Sequence, residues 1–516
     1  MNNQPQFLTK ILYLVIAAAL FYPLYWLGHP GAFDEQRNFH GGVLAEYRQD
    51  PEHRLNQTNL GEVDPVSESF KLATIGLRPV AVVLLWEKAH YYKKTEDWSN
   101  LEATINQITK LQPNFIKTWD FLSHEISYNL SVEFDDWRDR YYYVIKGLNF
   151  LIQGTEYNTF NSLLLAKVGW FTSQKIGKSD EKVLYRRAFA KDKERLKFFA
   201  FKLGKESIST DNWLVGKEWY LKAVEATNPP HNSPVRNESP VIFHSKPGMQ
   251  QISYADNLEE DGIFDDRTKR AWDEAATDWT KLGNRVFDNY SGGSFKLSDQ
   301  EVYEKRVDDK IKKFAELVGP NLKQKLMAEK RAKLTAEERR IIDLPSNQRN
   351  QSEDKIAEQI EERVAVTNLE LANQIPAEKR QAMRQLASEI EADKKHAESV
   401  AGFRSHVNYE WWRVKCDAEL TAEAIEAHRL IYQALKEQRE SSLTDGTKAR
   451  FEQGFAKWRV VFDKFPYLFE ESIPSDELIE HIKLYRKLLA DRGEEFPADF
   501  ILIDLWKKHE QRSAGQ

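Results

Sequence analysis

Residues 82–113 read VVLLWEKAHYYKKTEDWSNLEATINQITKLQP. Leu85, Ala89 and Tyr92 fall at helical spacing, a short polar turn follows, Leu101 and Ile108 belong to a second periodic run, and Pro113 closes the stretch. The pattern predicts two helices, over 80–94 and 98–111, joined as a hairpin. Working outward, the same periodicity predicts helices over 116–130, 135–152, 162–176 and 180–202, separated by short polar or Gly/Pro-containing turns. No alternating run of β-branched residues interrupts them, so the expected fold class is all-α.

This spacing resembles the ~34-residue tetratricopeptide-type repeat, in which small residues let paired helices approach and bulky ones fill the grooves between units. Counting from Val82, the pattern is carried by Leu85, Ala89, Tyr92 and Pro113; counting from Ile116, by Trp119, Leu122, Ser123 and Ile126. The second unit needs an insertion before Tyr143-Val144-Ile145 fall into place. A third, from Ser162, has Leu165, Val168, Gly169, Tyr185 and Ala188, with Lys193 where proline is expected. Trp213, Gly216, Tyr220 and Ala223 sit on one face of a half-visible fourth pair. Leu101 and Ile108 stand where small residues belong, so the resemblance implies a divergent helical-hairpin solenoid; another helical bundle is the alternative.

The segments Gly76–Lys94, Ile108–Phe115, Ser131–Leu151 and Arg270–Trp279 also resemble the membrane-anchored, tetratricopeptide-like helical-repeat proteins of planctomycete-type bacteria. That resemblance implies location and architecture and carries no activity.

The amino terminus reads as an anchor. No Asp, Glu, Lys or Arg lies between Lys10 and Asp34, and Ile11–Leu27 is almost wholly apolar, reaching ~30 Å as a helix. Tyr22, Tyr25 and Trp26 suit a membrane interface. A cleaved signal peptide is the alternative, but the apolar stretch is long for one and no small-x-small site follows it. Lys10 before the span, with Asp34 and Glu35 after it, favours a cytoplasmic amino terminus and a soluble body on the periplasmic side of a bacterial envelope.

The expected organisation is a transmembrane anchor over 1–33, a polar tether over 34–66 and helical repeats over 67–227. A Pro-rich connector plus an amphipathic helix follows over 228–295, then charged helices over 296–400 and carboxyl-terminal hairpins over 401–516. In the connector, prolines at 229, 230, 234, 240 and 247 break the helical rhythm. Trp272, Ala275, Trp279, Leu282 and Val286 then form a stripe that must bury against something, as do Phe451, Phe455, Trp458, Phe462 and Phe465 near the end. In the charged segment Met383, Leu386 and Ile390 start a heptad seam that Asp393 interrupts, so a sustained coiled coil is not expected.

Composition narrows the function. With 74 basic against 80 acidic side chains the net charge is −6, and no basic, aromatic-interleaved segment marks a nucleic-acid surface. One cysteine rules out an intramolecular disulfide framework. No phosphate-binding glycine loop, nucleophile elbow or His-x-x-x-His pair is present, so no cofactor, metal or catalytic residue is assigned. Cys416, in YEWWRVKCDAEL, lacks a diagnostic base and reads as structural. The acids from Asp256 to Asp266 lack calcium-loop spacing, and Asp265 and Asp266 are expected to cap the helix at Arg267.

The candidate partner-binding surface is Asp135, Asp136, Trp137, Arg138, Arg140, Tyr141 and Tyr142, alternating charge beside aromatics. Its plain alternative is a solvated face carrying i,i+4 pairs such as Asp136–Arg140. The function expected is a scaffold that binds another protein in a membrane or envelope complex. Two alternatives stand beside it: an envelope enzyme uniting several of Asp256, Glu259, His231 and His244, and a spacer whose charged helices mediate homo-oligomer contacts.

Overall fold

The computed structural model describes residues 78–235, 238–288, 293–440, 444–470 and 474–514, with Pro23, Ala32–Phe33, Phe39–His40 and Val43. All of the anchor expected over 11–27 except Pro23, and nearly all of the tether, lie outside the described residues; among those described, no helix is long and apolar enough to cross a membrane. The fold is all-α. Among the described residues the strands form two short antiparallel ladders, β1 (Ala32–Phe33) with β2 (Phe39–His40) and β3 (Phe287–Asp288) with β4 (Ser294–Phe295). The chain divides into two compact units, Met1–Asn237 and Glu238–Gln516.

In the first unit, α1 (Arg78–Lys94) and α2 (Trp98–Leu111) pack as a hairpin around Val82, Ala89, Leu101, Ile105 and Ile108. The hairpin is followed by α3 (Ile116–His124), α4 (Trp137–Tyr157), α5 (Ser162–Trp170), α6 (Lys182–Lys191), α7 (Lys193–Leu203) and α8 (Asn212–Ala226). Polar side chains start many of these helices: Asp97, Asp136, Asn161, Asp192 and Asp211 each accept from a backbone N–H of the first turn. Both α3 and α5 run on through one wide π turn, Glu125–Asn129 and Phe171–Lys175.

Helices meet where side chains are small. A Cβ on Gly147 would lie 2.1 Å from Ser127 Oγ and 2.7 Å from the Ser123 carbonyl, so α3 and α4 approach closely there. The third pairing differs from expectation. The partner of α5 is α8 rather than the segment holding Tyr185 and Ala188. Gly169 and Gly216 face each other across this contact, and a Cβ on Gly216 would sit 3.1 Å from the Gly169 carbonyl. In α6 the corresponding bulk of Tyr185 and Phe189 is buried on its own account and offers no such approach.

The second unit corrects the connector. Pro240–Glu260 is one helix, α9, despite Pro247 within it. Pro240 occupies the first turn, where its missing N–H would be unpaired anyway. Pro247 removes one hydrogen bond, and burial of Val241, Phe243, Ile252, Ala255 and Leu258 outweighs that loss. At Gly248 a Cβ would meet the Trp279 ring at 3.0 Å, so the Pro-Gly step is where that indole packs. Its neighbour α10 (Asp266–Asn284) buries Trp272, Ala275, Trp279 and Leu282 as expected. Val286 is exposed because the helix has ended and Arg285 is extended.

The charged segment folds back on itself. Helix α11 (Gln300–Val318) runs antiparallel to α16 (Ala377–His406), with Arg404 paired to Glu301 and Lys310 to Glu389. The tip is built from α12 (Pro320–Ala332), α13 (Ala336–Asp343), α14 (Gln351–Val364) and α15 (Asn368–Asn373), with a small core of Leu334, Ile341, Ala357, Ile360 and Val364. Asp393 is buried in the seam and receives Arg306 and Lys310 at 3.3 and 2.9 Å, so the interruption is an ion-pair layer between the helices.

Then come α17 (Tyr409–Glu419), α18 (Ala422–Arg439), α19 (Asp445–Lys464), α20 (Pro466–Glu470), α21 (Pro474–Asp491) and α22 (Ile503–Ala514). Phe451, Phe455 and Phe462 are buried in their shared core, with Trp458 and Phe465 packed on its edge.

Candidate functional site

The residues singled out from sequence lie at the start of α4, and they do not close a cavity. Asp136 is the N-cap, its carboxylate accepting from the Arg138 N–H at 2.7 Å. It is therefore not paired with Arg140 as expected: Arg140 turns to the Phe134 carbonyl and to Glu181, 2.6 Å away. Asp135, Arg138 and Tyr142 are exposed, with the Arg138 guanidinium 4.9 Å from the Trp137 ring. Tyr141 is half-buried against Tyr185.

A concave site in this unit lies elsewhere. The first helices of the three hairpins, α1, α3 and α5, line a groove of about 540 Å³ with Trp86, Phe115, Lys117, Asp120, Phe121, His124 and Lys167, and Asp120 pairs with Lys167 at 3.3 Å. Trp86 meets Phe121 edge-on at 5.5 Å, and Phe115 is exposed at the mouth. Below it the aromatic run continues: His124 stacks on Tyr128 at 4.6 Å, and Tyr128 on Trp170 at 5.7 Å. Cations accompany the rings, with Lys175 4.3 Å over Tyr128 and Lys167 5.6 Å over Trp170. The wall is tied by Lys93, which reaches from α1 to the buried Glu125 at 2.5 Å. Aromatic faces beside lysines suit a chain segment carrying apolar and acidic side chains.

A second site lies inside the carboxyl-terminal unit. Glu259 lies in the last turn of α9, Glu419 ends α17, and His428 lies mid-way along α18. His428 Nε2 is 2.9 Å from Glu419 Oε2 and 3.5 Å from Glu259 Oε2, and the Trp272 indole N–H donates to Glu259 Oε1 at 2.9 Å. Both glutamates are buried. Lys415, one turn before Glu419, binds Asp256 at 3.1 Å and lies over the rings of Trp272, Trp411 and Trp412. A cavity of about 90 Å³ opens beside them, lined also by Trp458, Phe462 and His481, with the exposed Glu477 at its edge. That is room for several waters or a small ligand.

Electrostatics divide these groups. Burial pushes the Glu259 carboxyl up, against the pull of the His428 charge. Burial opposes charge on His428, but the Glu259 and Glu419 carboxylates outweigh it and lift the imidazole to about 10. Burial also acts against an ionised Glu419, and the His428 charge holds it below the usual carboxylate range. His481 is lowered to about 4 by burial and by the His428 charge, so it stays neutral.

Asp256 and Glu259 lie one turn apart on α9 and neither is among the residues that line the cavity, and His231 and His244 do not join them. His231 stacks on Phe160 within the first unit, and His244 packs edge-on to Phe287. Cys416 is wholly buried and burial drives its thiol up, consistent with a structural role. Asp265 caps α10 as expected, accepting from the Arg267 N–H at 2.8 Å. Sequence reading missed Lys415, Glu419, His428 and His481. The available signal was Lys415 and Glu419 on the short helix that buries Trp411, Cys416 and Ala418, a charge pair where apolar residues belong.

No protein-family model matches this chain, and no curated protein or solved structure matches it either.

Proposed function

We propose that the protein is a membrane-anchored helical-repeat scaffold, held by residues 11–27 with its amino terminus cytoplasmic and its body in the periplasmic space. Its first unit is a divergent tetratricopeptide-like array that takes a segment of a partner protein. The observation that carries this reading is the groove between α1, α3 and α5, where Trp86, Phe121 and Lys117 face the same space beside the Asp120–Lys167 pair. The close glycine–serine contacts within the pairs have the physical logic of such arrays. The partner segment carries apolar side chains that fit the Trp86 and Phe121 rings and an acidic side chain that meets Lys117 or competes with Asp120 for Lys167.

The test is cross-linked capture of the full-length protein from native membranes, beside a Lys117→Glu/Lys167→Glu variant in which both exposed lysines are reversed. A reproducible set of membrane or exported proteins that the wild type retains and the variant loses supports the scaffold and the groove together. Capture that survives the double reversal moves the partner surface elsewhere. Recovery of self-contacts alone, at adequate cross-linking yield, sinks the scaffold reading. A second reading, chemistry on a small molecule, rests on the cavity beside Glu419, His428 and His481 in the other unit.

A further inference from the structure

We infer that Glu259, Glu419 and His428 form a binding site for a divalent transition-metal ion in the carboxyl-terminal unit. The inference does not depend on the scaffold reading, which concerns the other unit.

The donor set comes from three helices, α9, α17 and α18, and its three ligand atoms lie within 4.8 Å of one another. For a tetrahedral ion with bonds of about 2.0–2.2 Å, neighbouring ligand atoms stand about 3.3–3.5 Å apart. The His428–Glu259 separation of 3.5 Å already matches, and the 2.9 Å to Glu419 has only to widen slightly. One imidazole with two carboxylates favours zinc, iron(II), manganese or cobalt over calcium or magnesium, which prefer oxygen-only shells. The cavity on the Glu419–His428 side leaves a coordination position open to water or a small ligand, and His481 lines that cavity.

Metal binding would take the proton from His428 Nε2 and leave Glu259 and Glu419 as carboxylates, so that a dication would replace the imidazolium as the charge between the two buried glutamates. The Trp272 indole, donating to Glu259 Oε1, fixes the carboxylate so that Oε2 faces His428. Lys415 is held away on Asp256 and the tryptophan faces, so it does not occupy the metal position.

The experiment uses the full chain in detergent, stripped with a chelator and titrated with cobalt(II) alone. The visible absorption of cobalt bound to nitrogen and oxygen reports coordination directly. The expected result is a protein-dependent band that saturates at one ion per chain and is displaced by one equivalent of zinc(II). His428→Gln and, separately, Glu259→Gln each weaken binding more than tenfold, with an unchanged near-ultraviolet circular dichroism spectrum. If either variant fails to fold, the wild-type band and the remaining variant still decide. No saturable band in the wild type, or a band undiminished in a folded variant, overturns the proposal and leaves the three residues as an ion-pair cluster.

Discussion

The Trp279 indole N–H donates to the backbone carbonyl of Tyr409 at 3.0 Å, joining α10 to α17 across 130 residues of chain. Around that bond one core gathers Phe295 and Leu297, where the charged hairpin begins, and Val400 and Val407, where it returns. Arg404 closes the base by donating to the Leu297 carbonyl at 3.2 Å. The charged helices are therefore an insertion whose two ends already touch.

It follows that the hairpin is removable. Replacing residues 302–398 by a short Gly/Ser linker leaves the Trp279 core intact, because little loop-closure entropy is needed to join adjacent ends. The near-ultraviolet circular dichroism of the tryptophans and a single cooperative melt of the second unit should survive in the full chain. Loss of the near-ultraviolet signal would show that the hairpin holds the core together.

Arg404 is the bolt of this base. It is buried, and it bonds the Leu297 carbonyl, Glu301 and Glu410. Arg404→Met strands the carbonyl but leaves Glu410 its second partner, Arg413. The expected cost is about 2–3 kcal/mol in urea unfolding. A change within about 0.5 kcal/mol would mean that water replaces the guanidinium.

Two glycine-to-alanine substitutions should move stability in opposite directions. Gly147→Ala drives a methyl group into Ser127 and the Ser123 carbonyl, and should cost about 1–3 kcal/mol. Gly402→Ala, on an exposed position of α16 with nothing within 4 Å, should gain about 0.5–1 kcal/mol through helix propensity. Thermal melts of both variants check the pair, and a stable Gly147→Ala protein would deny the close approach of α3 and α4.

His244 gives the second unit a pH dependence of known sign. Burial, then the nearby Arg285 charge, lowers its imidazole to about 3, against about 6.5 when unfolded. Between those values the unfolded chain takes up the proton and the folded one does not. The stabilisation is complete above about pH 6.5 and falls as the pH drops, by about 1 kcal/mol per unit. His244→Phe keeps the ring contact with Phe287 and removes the titration. Urea midpoints at pH 7 and 4.5 should therefore fall less in the variant, and parallel losses would contradict the assignment.

The stripes were legible because each spans one helix: Trp272, Ala275, Trp279 and Leu282 follow a single period and are buried together. Helix α9 was not, since Pro240 and Pro247 read as breakers while the packing that overrides them comes from α10, twenty residues later in the chain. The aromatic groove escaped because exposed and core rings share one periodicity, and only the stacking of α1, α3 and α5 shows which ones face out. Glu259, Glu419 and His428 were invisible as a group for a different reason. Local motifs record spacing along one helix, whereas these three side chains converge from three.

Cys416 packs without exposure beside Ile252, Ala255, Trp272 and Ala275, and it is the single thiol in the chain. A thiol reagent can reach it only in molecules whose core has momentarily opened, so labelling counts openings rather than surface accessibility. When reclosing outpaces the reagent, the labelling rate divided by that of a free thiol is the equilibrium constant of opening. The protein thus carries its own clock for the core that adjoins Lys415 and Glu419, readable by mass without adding a probe.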